Sequence, residues 1–273
     1  MKQGIFKIKE NTQLTPTTWR MVLAGDTSAV TAPGQFINIR LDGHFLRRPV
    51  SVNDVRHAEP YTGEGLGTGT DEGAVTIIYK VLGHGTEEMT KMPSGTELDV
   101  LTGLGNGYDL SDAGESPLLI GGGVGIPPLY LAAKELLKDA KTRGTGREVT
   151  VILGFNSSDE IYYADEFEEL GCRVVVATAD GSTGVKGFVT DAFRELASGC
   201  GSFSHFYTCG PEPMLKAVYE EVYKGAGISG QMSFEERMGC GFGACMGCSC
   251  RTVTGYKRIC KDGPVLRTEE ILW

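Results

Sequence analysis

Long apolar runs are missing from this sequence. No segment approaches the roughly 20 consecutive apolar residues that a membrane-spanning helix needs, and no continuous apolar stretch follows the lysines near the start. We therefore expect a soluble protein that is not exported, that works in the cytoplasm and that has no membrane partner. Since 41% of its 273 residues are hydrophobic, the chain can still bury the cores of more than one globular domain.

Positive charge is also scarce. The chain has 26 Lys and Arg against 35 Asp and Glu, which gives a formal net charge of -9. Binding to nucleic-acid phosphates requires a basic face, and an excess of acidic residues works against one. We expect proteins and small molecules as partners, and no nucleic acid.

Common motifs of hydrolytic catalysis are absent. The sequence contains no HExxH and no GxSxG segment, and its four histidines are isolated. Each is interpreted as a surface or packing residue rather than a catalyst. His44 stays open because it lies close to Arg47 and Arg48. No catalytic residue is predicted, so the chain shows no site for acting on an organic substrate itself.

Cysteine, in contrast, is abundant and unevenly placed. Five of the eight cysteines fall within the last 34 residues, four of them in the segment CGFGACMGCSC at 240–250. A disulfide framework would spread its cysteines over a small secreted domain. A local cluster in a protein that is not exported indicates a metal or iron-sulfur site instead.

The first hundred residues consist of short β-rich segments separated by Gly, Pro, Asp and Asn. This spacing, with no long helical pattern between the segments, predicts an antiparallel β-barrel. The segment GHGTEEMTKM is predicted to form a short helix, and the polar stretch at 61–73 a hairpin loop without assigned function. The six predicted strands are GIFKIKENT, TWRMVLAG, GQFINIRL, RRPVSVNDV, GAVTIIYKVL and TELDVLTG.

From about residue 117 the pattern changes. Apolar runs of four to six residues alternate with amphipathic segments, which predicts a parallel sheet with helices on both faces. Together with the cysteine-rich end this gives a multidomain α+β fold. Its expected parts are a β-barrel at 1–112, an α/β domain at 113–228 and a small C-terminal module at 229–273.

A glycine-rich turn follows the first strand of the α/β domain. Glycines between a buried strand and a helix let backbone amides approach a pyrophosphate, and a helix N-terminus attracts an anion. The GxGxxG fingerprint is incomplete because Ile126 replaces the third glycine, so a tight turn without a ligand stays an alternative. The predicted nucleotide contacts are Gly121, Gly122, Gly123, Val124 and Gly125.

A second turn, Cys209-Gly210-Pro211, ends another buried strand and precedes another helix. In open α/β sheets ligands bind at the carboxyl ends of strands, so both turns are predicted to face one crevice. The segment GFNSS at 154–158 contains no Lys or Arg that could receive a 2′-phosphate, which favours NAD over NADP.

The segment RRPVS at 47–51 opens one of the predicted barrel strands. Arg48 can pair with a pyrophosphate, Ser51 can donate to it, and the fixed φ of Pro49 shapes the chain between them. The residues by themselves favour the alternative, which is a solvated strand edge.

Taken together, these features resemble the ferredoxin-NADP reductase superfamily over residues 1 to about 228. The resemblance rests on the barrel with its Arg-x-x-Ser element, on GGGVGIPPL and on the Cys-Gly-Pro turn. In that superfamily the Arg and Ser of R-x-[YF]-[ST] hold FAD, and the aromatic residue stacks on the flavin. Val50 stands at the aromatic position here, which points to a particular branch.

Within the superfamily, the chain resembles the electron-transfer subunits of dihydroorotate dehydrogenase B from about residue 5 to its end. The similar segments are RRPVS, GHGTEEM, TADGSTGVKGFVTD, YTCGPEPML, FEERMGCGFGACMGC and ICKDGPV. The resemblance implies FAD between barrel and α/β domain, a 2Fe-2S cluster in the C-terminal module and NAD as substrate. It implies a catalytic partner subunit that carries FMN, in a heterotetramer of two plus two. The implied FAD contacts are Arg48, Pro49, Val50, Ser51, Ile78, Tyr79, Lys80, Gly85 and Thr86.

The cysteine spacing points in the same direction. Cys240-x4-Cys245-x2-Cys248 is the leading part of the plant-type ferredoxin pattern, although four thiolates could equally build a structural zinc site. The segment CSCRTVTGYKRIC is predicted to be a hairpin with a three-residue loop at 253–255, which sets Cys248 opposite Cys260 and Cys250 opposite Arg258. The resemblance also gives Cys260 as the last ligand. We therefore predict Cys240, Cys245, Cys248 and Cys260 as cluster ligands and Cys250 as a spare thiol.

A nicotinamide exchanges two electrons at once and an iron-sulfur cluster one at a time, so FAD is expected between them. We expect an NAD-linked electron-transfer subunit of pyrimidine biosynthesis, whose partner oxidises dihydroorotate. One alternative is the flavin subunit of a bifurcating ferredoxin oxidoreductase, a sulfite reductase or a hydrogenase. Another, from a different class, is a zinc-binding regulatory protein on a reductase fold.

Overall fold

The computed structural model describes residues 1–58, 72–199 and 202–273. The predicted hairpin loop at 61–73 falls almost wholly outside these residues, and so does Cys200.

The N-terminal part is a closed six-stranded antiparallel barrel with the strand order β1-β2-β5-β4-β3-β6. All six predicted strands and the predicted short helix are confirmed. The barrel closes because alternate apolar residues such as Phe6, Ile37 and Ile77 are fully buried inside it. The elements are β1 (Lys2–Gln13), β2 (Thr18–Ala24), β3 (Phe36–Ile39), β4 (Arg48–Arg56), β5 (Ala74–Lys80), α1 (His84–Thr90) and β6 (Glu97–Leu104).

The second part is a seven-stranded sheet flanked by helices, as the alternating pattern predicted. The apolar run Leu118–Ile120 is fully buried, which is typical of a parallel strand covered on both faces. A short 3-10 turn at Gly123–Gly125 joins the first strand to its helix. The elements are β7 (Pro117–Gly122), α2 (Pro127–Arg143), β8 (Thr150–Phe155), α3 (Ala164–Leu170), β9 (Arg173–Thr178), β10 (Val185–Lys186), α4 (Val189–Ser198), β11 (His205–Cys209) and α5 (Glu212–Val218), which a π-helical turn extends over Tyr219–Gly225.

The C-terminal segment completes this sheet. Its strands join in the order β10-β9-β8-β7-β11-β12-β15, all parallel except β15, which runs antiparallel to β12. The expected boundary at 228/229 therefore separates strands of one sheet, and the three domain ranges stay a prediction. The elements are β12 (Gly230–Ser233), β13 (Ser249–Thr252), β14 (Gly255–Arg258), α6 (Ile259–Asp262) and β15 (Val265–Arg267).

The hairpin register predicted for β13 and β14 is wrong. Thr252 pairs with Gly255, which leaves a two-residue loop, and Cys250 pairs with Lys257 rather than with Arg258. The C-terminal segment fixes this turn, because the Val253 amide donates to the Glu270 carbonyl at 2.9 Å and Thr252 bridges to Ile271. Sequence spacing could not reveal this long-range constraint.

Cys260 consequently lies in the short helix α6 and not on a strand. It still meets Cys248, because the Ile259 amide donates to the Cys248 carbonyl at 3.1 Å and the Cys260 amide to the Cys248 sulfur at 3.4 Å. The predicted proximity of these two cysteines is thus confirmed, although the predicted reason for it is not.

Direct side-chain contacts join the barrel to the α/β part. Lys134 on α2 pairs with Asp54 on β4 at 2.7 Å, and the Asn53 amide donates to the Tyr163 hydroxyl at 3.0 Å. Ile78 on β5 is buried in the core of the α/β part. In the described part of the chain, no helix is both long and apolar enough to cross a membrane.

Candidate functional site

The two glycine-containing turns lie against each other. A Cβ atom at Gly125 would overlap the carbonyl of Cys209, and one at Gly122 would overlap the sulfur of Met214 in the helix after the second turn. At Gly125, where the overlapping atoms belong to the backbone, only glycine allows this approach. The sequence-based prediction that both turns face one crevice agrees with this contact.

Tyr162 holds the glycine turn, and no sequence motif pointed to this residue. Its hydroxyl donates to the Gly123 carbonyl at 2.7 Å, and Gly123 has a φ of 51°, which favours glycine. Burial raises the pKa of Tyr162 far above its usual value, so its hydroxyl stays protonated and able to donate. The turn is therefore positioned before any nucleotide binds.

The second turn is fixed from the barrel side. Tyr108 donates to the Thr208 carbonyl at 3.0 Å, and the Thr208 hydroxyl donates to the Ile120 carbonyl at 2.8 Å. Burial raises the pKa of Cys209 to about 12, so its thiol is neutral at physiological pH. The crevice thus offers a nicotinamide an uncharged wall at Cys209.

The two arginines of RRPVS have different roles. Arg47 pairs with Asp99 at 2.8 Å and braces the barrel. Arg48 donates to the Leu46 carbonyl at 2.6 Å and packs directly over Gly85, where a Cβ atom would overlap its guanidinium group. Arg48 and the predicted contact at Gly85 and Thr86 therefore come together at the end of the barrel, where Arg48 keeps further N–H donors for a phosphate.

The prediction of isolated histidines is wrong for His44 and His84. Glu88 contacts both, at 2.7 Å from His44 Nε2 and 3.0 Å from His84 Nε2, and the two rings lie 5.6 Å apart. Helix α1 covers the end of the barrel and presents His84 and Glu88 one turn apart. The hydrogen bond from His44 lowers the pKa of Glu88.

The contact with Arg48 determines which ring nitrogen of His44 carries the proton. A guanidinium only donates, so the 2.8 Å contact from Arg48 Nη2 makes Nδ1 of His44 an acceptor. The neutral ring then carries its proton on Nε2 and donates it to Glu88. The group is therefore a hydrogen-bond chain that orients Arg48, and a metal ion on Nε2 would compete with that proton.

The predicted FAD contacts on β5 have side chains that point in two opposite directions. Ile78 and Lys80 face the α/β part, where Lys80 pairs with Glu160 at 3.5 Å. Tyr79 points into the barrel and donates to Asn11 at 3.0 Å, because neighbouring residues of a strand face opposite sides. Only the backbone of Tyr79 is available to a ligand. Val50 likewise packs against the barrel core.

A cavity of about 710 Å³ lies where all three parts of the chain meet. It is of a size that accommodates a cofactor ring system. The sequence pointed to Pro49 and to the Gly210-Pro211 turn. It did not point to Phe234 and Trp273, whose ring centroids lie 5.8 Å apart. The lining residues include Leu46, Pro49, Gly210, Pro211, Phe234, Cys250 and Trp273.

The cysteine loop is shaped to present amide groups to sulfur. Gly241 and Gly243 have φ values of 79° and 90°, which glycine readily adopts. The Ala244 amide donates to the Cys240 sulfur at 3.2 Å and the Cys245 amide at 3.5 Å. Burial opposes ionisation of Cys240, but these amides and that of Phe242 stabilise the thiolate and lower its pKa to about 6. The loop therefore favours a thiolate ligand.

The four predicted ligands form two pairs. Cys240 is hydrogen-bonded to Cys245, and Cys260 to Cys248. Two such pairs match a cluster of two irons with two thiolates on each.

Cys250 lies outside both pairs. It sits on β13 and lines the large cavity, and burial raises the pKa of its thiol. Its position agrees with the prediction that it is a spare thiol, which stays a prediction.

Two family models match the chain. Residues 119–220 match an oxidoreductase NAD-binding domain, and residues 235–272 match the iron-sulfur cluster binding domain of dihydroorotate dehydrogenase B. The dihydroorotate dehydrogenase B (NAD(+)) electron transfer subunit of Fusobacterium nucleatum is 42% identical, over 97% of this chain and 96% of that protein. The subunit of Shouchella clausii is 38% identical, over 99% of this chain and 98% of that one.

The chain belongs to the family of dihydroorotate dehydrogenase B electron transfer subunits. Among solved structures, an NADH-dependent reduced ferredoxin-NADP oxidoreductase matches with a TM-score of 0.82 and 30% identity, over 99% of this chain and 90% of that one. The chain is an NAD-linked oxidoreductase subunit that relays electrons. Its redox groups are FAD, a 2Fe-2S cluster and NAD.

Replacing Arg48 by Ala is expected to lower FAD occupancy without unfolding the barrel. The change removes a charge-assisted phosphate contact worth about 1.5 to 3 kcal/mol. Flavin absorbance per chain and far-UV circular dichroism measure the two effects. Arg40→Ala, at a largely exposed position beside the same barrel end, is the control and should keep FAD. If Arg48→Ala bound FAD as tightly as the wild type, Arg48 would be a solvent-exposed residue at the strand edge and not an FAD contact.

Gly125→Ala is expected to raise the KM for NADH by about tenfold, which corresponds to about 1.4 kcal/mol. The added methyl group would push against the Cys209 carbonyl and open the crevice. Steady-state kinetics with a dye acceptor provide the measurement. Gly146→Ala meets no atom within 4 Å and should behave like the wild type. Equal KM values in both variants would contradict the predicted nucleotide crevice.

Alanine replacement of Cys240, Cys245, Cys248 or Cys260 is expected to abolish the cluster, whereas Cys250→Ala should retain it. Iron, acid-labile sulfide and visible absorbance per chain report the result. Cys172→Ala, a buried cysteine in the α/β part, controls for loss of a thiol as such. Loss of the cluster in Cys250→Ala with retention in Cys260→Ala would show that the fourth ligand is wrongly assigned.

Proposed function

We propose that this chain accepts electrons from the FMN of a dihydroorotate dehydrogenase catalytic subunit and delivers them to NAD. In this proposal the two subunits form a heterotetramer of two plus two, in the cytoplasm, as part of pyrimidine biosynthesis. The observation that carries the proposal is the cavity where three elements meet. They are β4 with Pro49, the turn Gly210-Pro211 and the cysteine-rich segment with Cys250. The names of the relatives at 42% and 38% identity support the choice of partner.

The bound groups supply the redox chemistry, since a flavin can exchange two electrons with a nicotinamide and one at a time with an iron-sulfur cluster. The protein supplies binding and orientation. Arg48, held by His44 and Glu88, is placed to bind a phosphate of FAD. The glycine turn, held by Tyr162, offers backbone amides to the nucleotide pyrophosphate.

Other residues border the reacting region. Phe234 and Trp273 line the cavity, and Cys209 presents a neutral thiol beside the glycine turn. No described histidine pairs with a nucleophile at the cavity, which supports assigning substrate oxidation to the partner.

The nearest rival is the flavin subunit of a bifurcating ferredoxin oxidoreductase. The solved structure of that kind is 30% identical, against 42% for the dihydroorotate dehydrogenase subunit, so similarity favours the latter. The zinc-binding regulatory alternative is disfavoured by the match of residues 235–272 to an iron-sulfur cluster binding domain.

The isolated subunit is expected to pass electrons from NADH to an artificial dye and to show no dihydroorotate oxidation, because it has a nicotinamide crevice but no substrate base. Steady-state assays with each substrate measure this division of labour. Adding an FMN-containing catalytic subunit should restore dihydroorotate-dependent NAD reduction. Cys248→Ala should retain dye reduction but fail in the reconstituted assay. Turnover of dihydroorotate by this chain alone would contradict the proposal.

A further inference from the structure

Three metal-ligating side chains come together at the end of the barrel, and none of them lines the large cavity. His84 and Glu88 stand one turn apart on α1, whereas His44 lies in the loop between β3 and β4. The Glu88 carboxylate lies 2.7 Å from Nε2 of His44 and 3.0 Å from Nε2 of His84. The helix and the barrel loop therefore bring two imidazoles and one carboxylate together.

The spacing of these side chains suits a metal ion. One ligand atom from each of the three residues lies within 4.8 Å of the other two. Around a tetrahedral zinc ion with bonds of about 2.0 to 2.2 Å, neighbouring ligand atoms lie about 3.3 to 3.6 Å apart. Small rotations of the side chains reach that spacing from the distances at Glu88. The group thus matches an open site of three protein ligands, which leaves a fourth position for water.

The ligand types and their exposure indicate which ion the group takes. Imidazole nitrogen suits zinc, copper, iron and nickel, whereas Mg²⁺ and Ca²⁺ prefer oxygen ligands. The His44 side chain is 15% exposed and that of Glu88 37%, whereas that of His84 is 77% exposed. Two ligands are therefore held by the fold, and the third is open to solvent, from which an ion can enter.

A metal ion at this group and the contact from Arg48 to His44 exclude each other. Nδ1 of His44 accepts from Arg48 at 2.8 Å, so the neutral ring carries its proton on Nε2. An ion bound at Nε2 moves that proton to Nδ1, which then no longer accepts from a guanidinium group. The proton stays on the ring, and the charge of the ion repels the guanidinium group as well.

We propose that His44, His84 and Glu88 bind a divalent transition-metal ion such as zinc, and that the bound ion displaces Arg48 and weakens FAD binding. The site is separate from the electron relay, and its effect on FAD rests on the predicted phosphate contact of Arg48. Because linkage is reciprocal, bound FAD weakens metal binding by the same factor. The site therefore couples FAD occupancy to the concentration of the free ion.

The test compares zinc binding by the wild type and by His84→Ala, using the full-length protein loaded with FAD and cluster. Cluster loading keeps the cysteine ligands from taking up zinc, and iron and acid-labile sulfide are measured in every sample. Equilibrium dialysis should show one more zinc per chain in the wild type. Saturating zinc should raise the Kd for FAD about tenfold in the wild type, measured by fluorescence of FAD released on dilution, and leave it unchanged in His84→Ala.

The variant and its controls separate this site from other effects of zinc. His84→Ala leaves the contact between Arg48 and His44 in place, so without zinc it should bind FAD like the wild type. His84→Gln replaces it if it fails to fold. His57→Ala removes a histidine that contacts Thr27 elsewhere on the barrel, and it should bind zinc like the wild type. Mg²⁺ should release no FAD from any of these proteins.

Each contrary outcome is specific. Equal zinc binding by the wild type and both His84 variants would overturn the metal site. Unchanged or tighter FAD binding with the extra zinc in place, or equal release of FAD from His84→Ala, would overturn the displacement of Arg48. These results leave the electron relay intact, because dihydroorotate-dependent NAD reduction in the reconstituted assay tests it separately.

Discussion

One apolar core holds the barrel, the sheet and the cysteine segment together. It contains Phe36 and Leu104 from the barrel, Leu118 from the central strand of the sheet, and Ile259 next to the ligand Cys260. Electron transfer between bound groups requires that their separation stays fixed. Because protein interiors are close-packed, a core shared by all three parts fixes that separation more firmly than ion pairs at their edges would.

This shared core explains why the C-terminal segment is part of the sheet. Strands β12 and β15 extend the sheet beside β11, and the cysteine loop, β13, β14 and α6 lie between these two strands along the chain. The cluster loop is thereby anchored at both ends to the element that also carries the nicotinamide turn. The side chain of Asn38 reaches the same loop from the barrel. The cluster region is thus held from two sides by the parts that bind the other two redox groups.

The residues that position the site are mostly not those that would touch its ligands. Tyr162 holds the glycine turn, Tyr108 holds the second turn through Thr208, and Glu88 holds Arg48 through His44. Each of them is a hydrogen-bonding side chain from another element. Such support keeps binding groups in place before the ligand arrives, which reduces the ordering that binding would otherwise require.

Sequence reasoning worked where the physical cause is local. Alternating apolar residues predicted all six barrel strands, buried apolar runs predicted the parallel sheet, and glycines next to strand ends predicted the two turns, because strand faces and tight turns depend on neighbouring residues. It failed for the hairpin at 253–254, whose register depends on Glu270 and Ile271, and for the histidines, which meet only when α1 closes the barrel.

The sequence by itself therefore determined the kinds of chemistry that this chain can support: thiolates at plant-type spacing, a glycine turn before a helix, and an arginine at the start of a strand. Only the tertiary structure decided which groups meet. It pairs the sulfurs two by two, places Arg48 over Gly85, turns Tyr79 away from the crevice and brings Asn38 to Gly241. The reason is that these contacts join residues distant in the chain, and packing of the shared core, which no local pattern records, sets their distances.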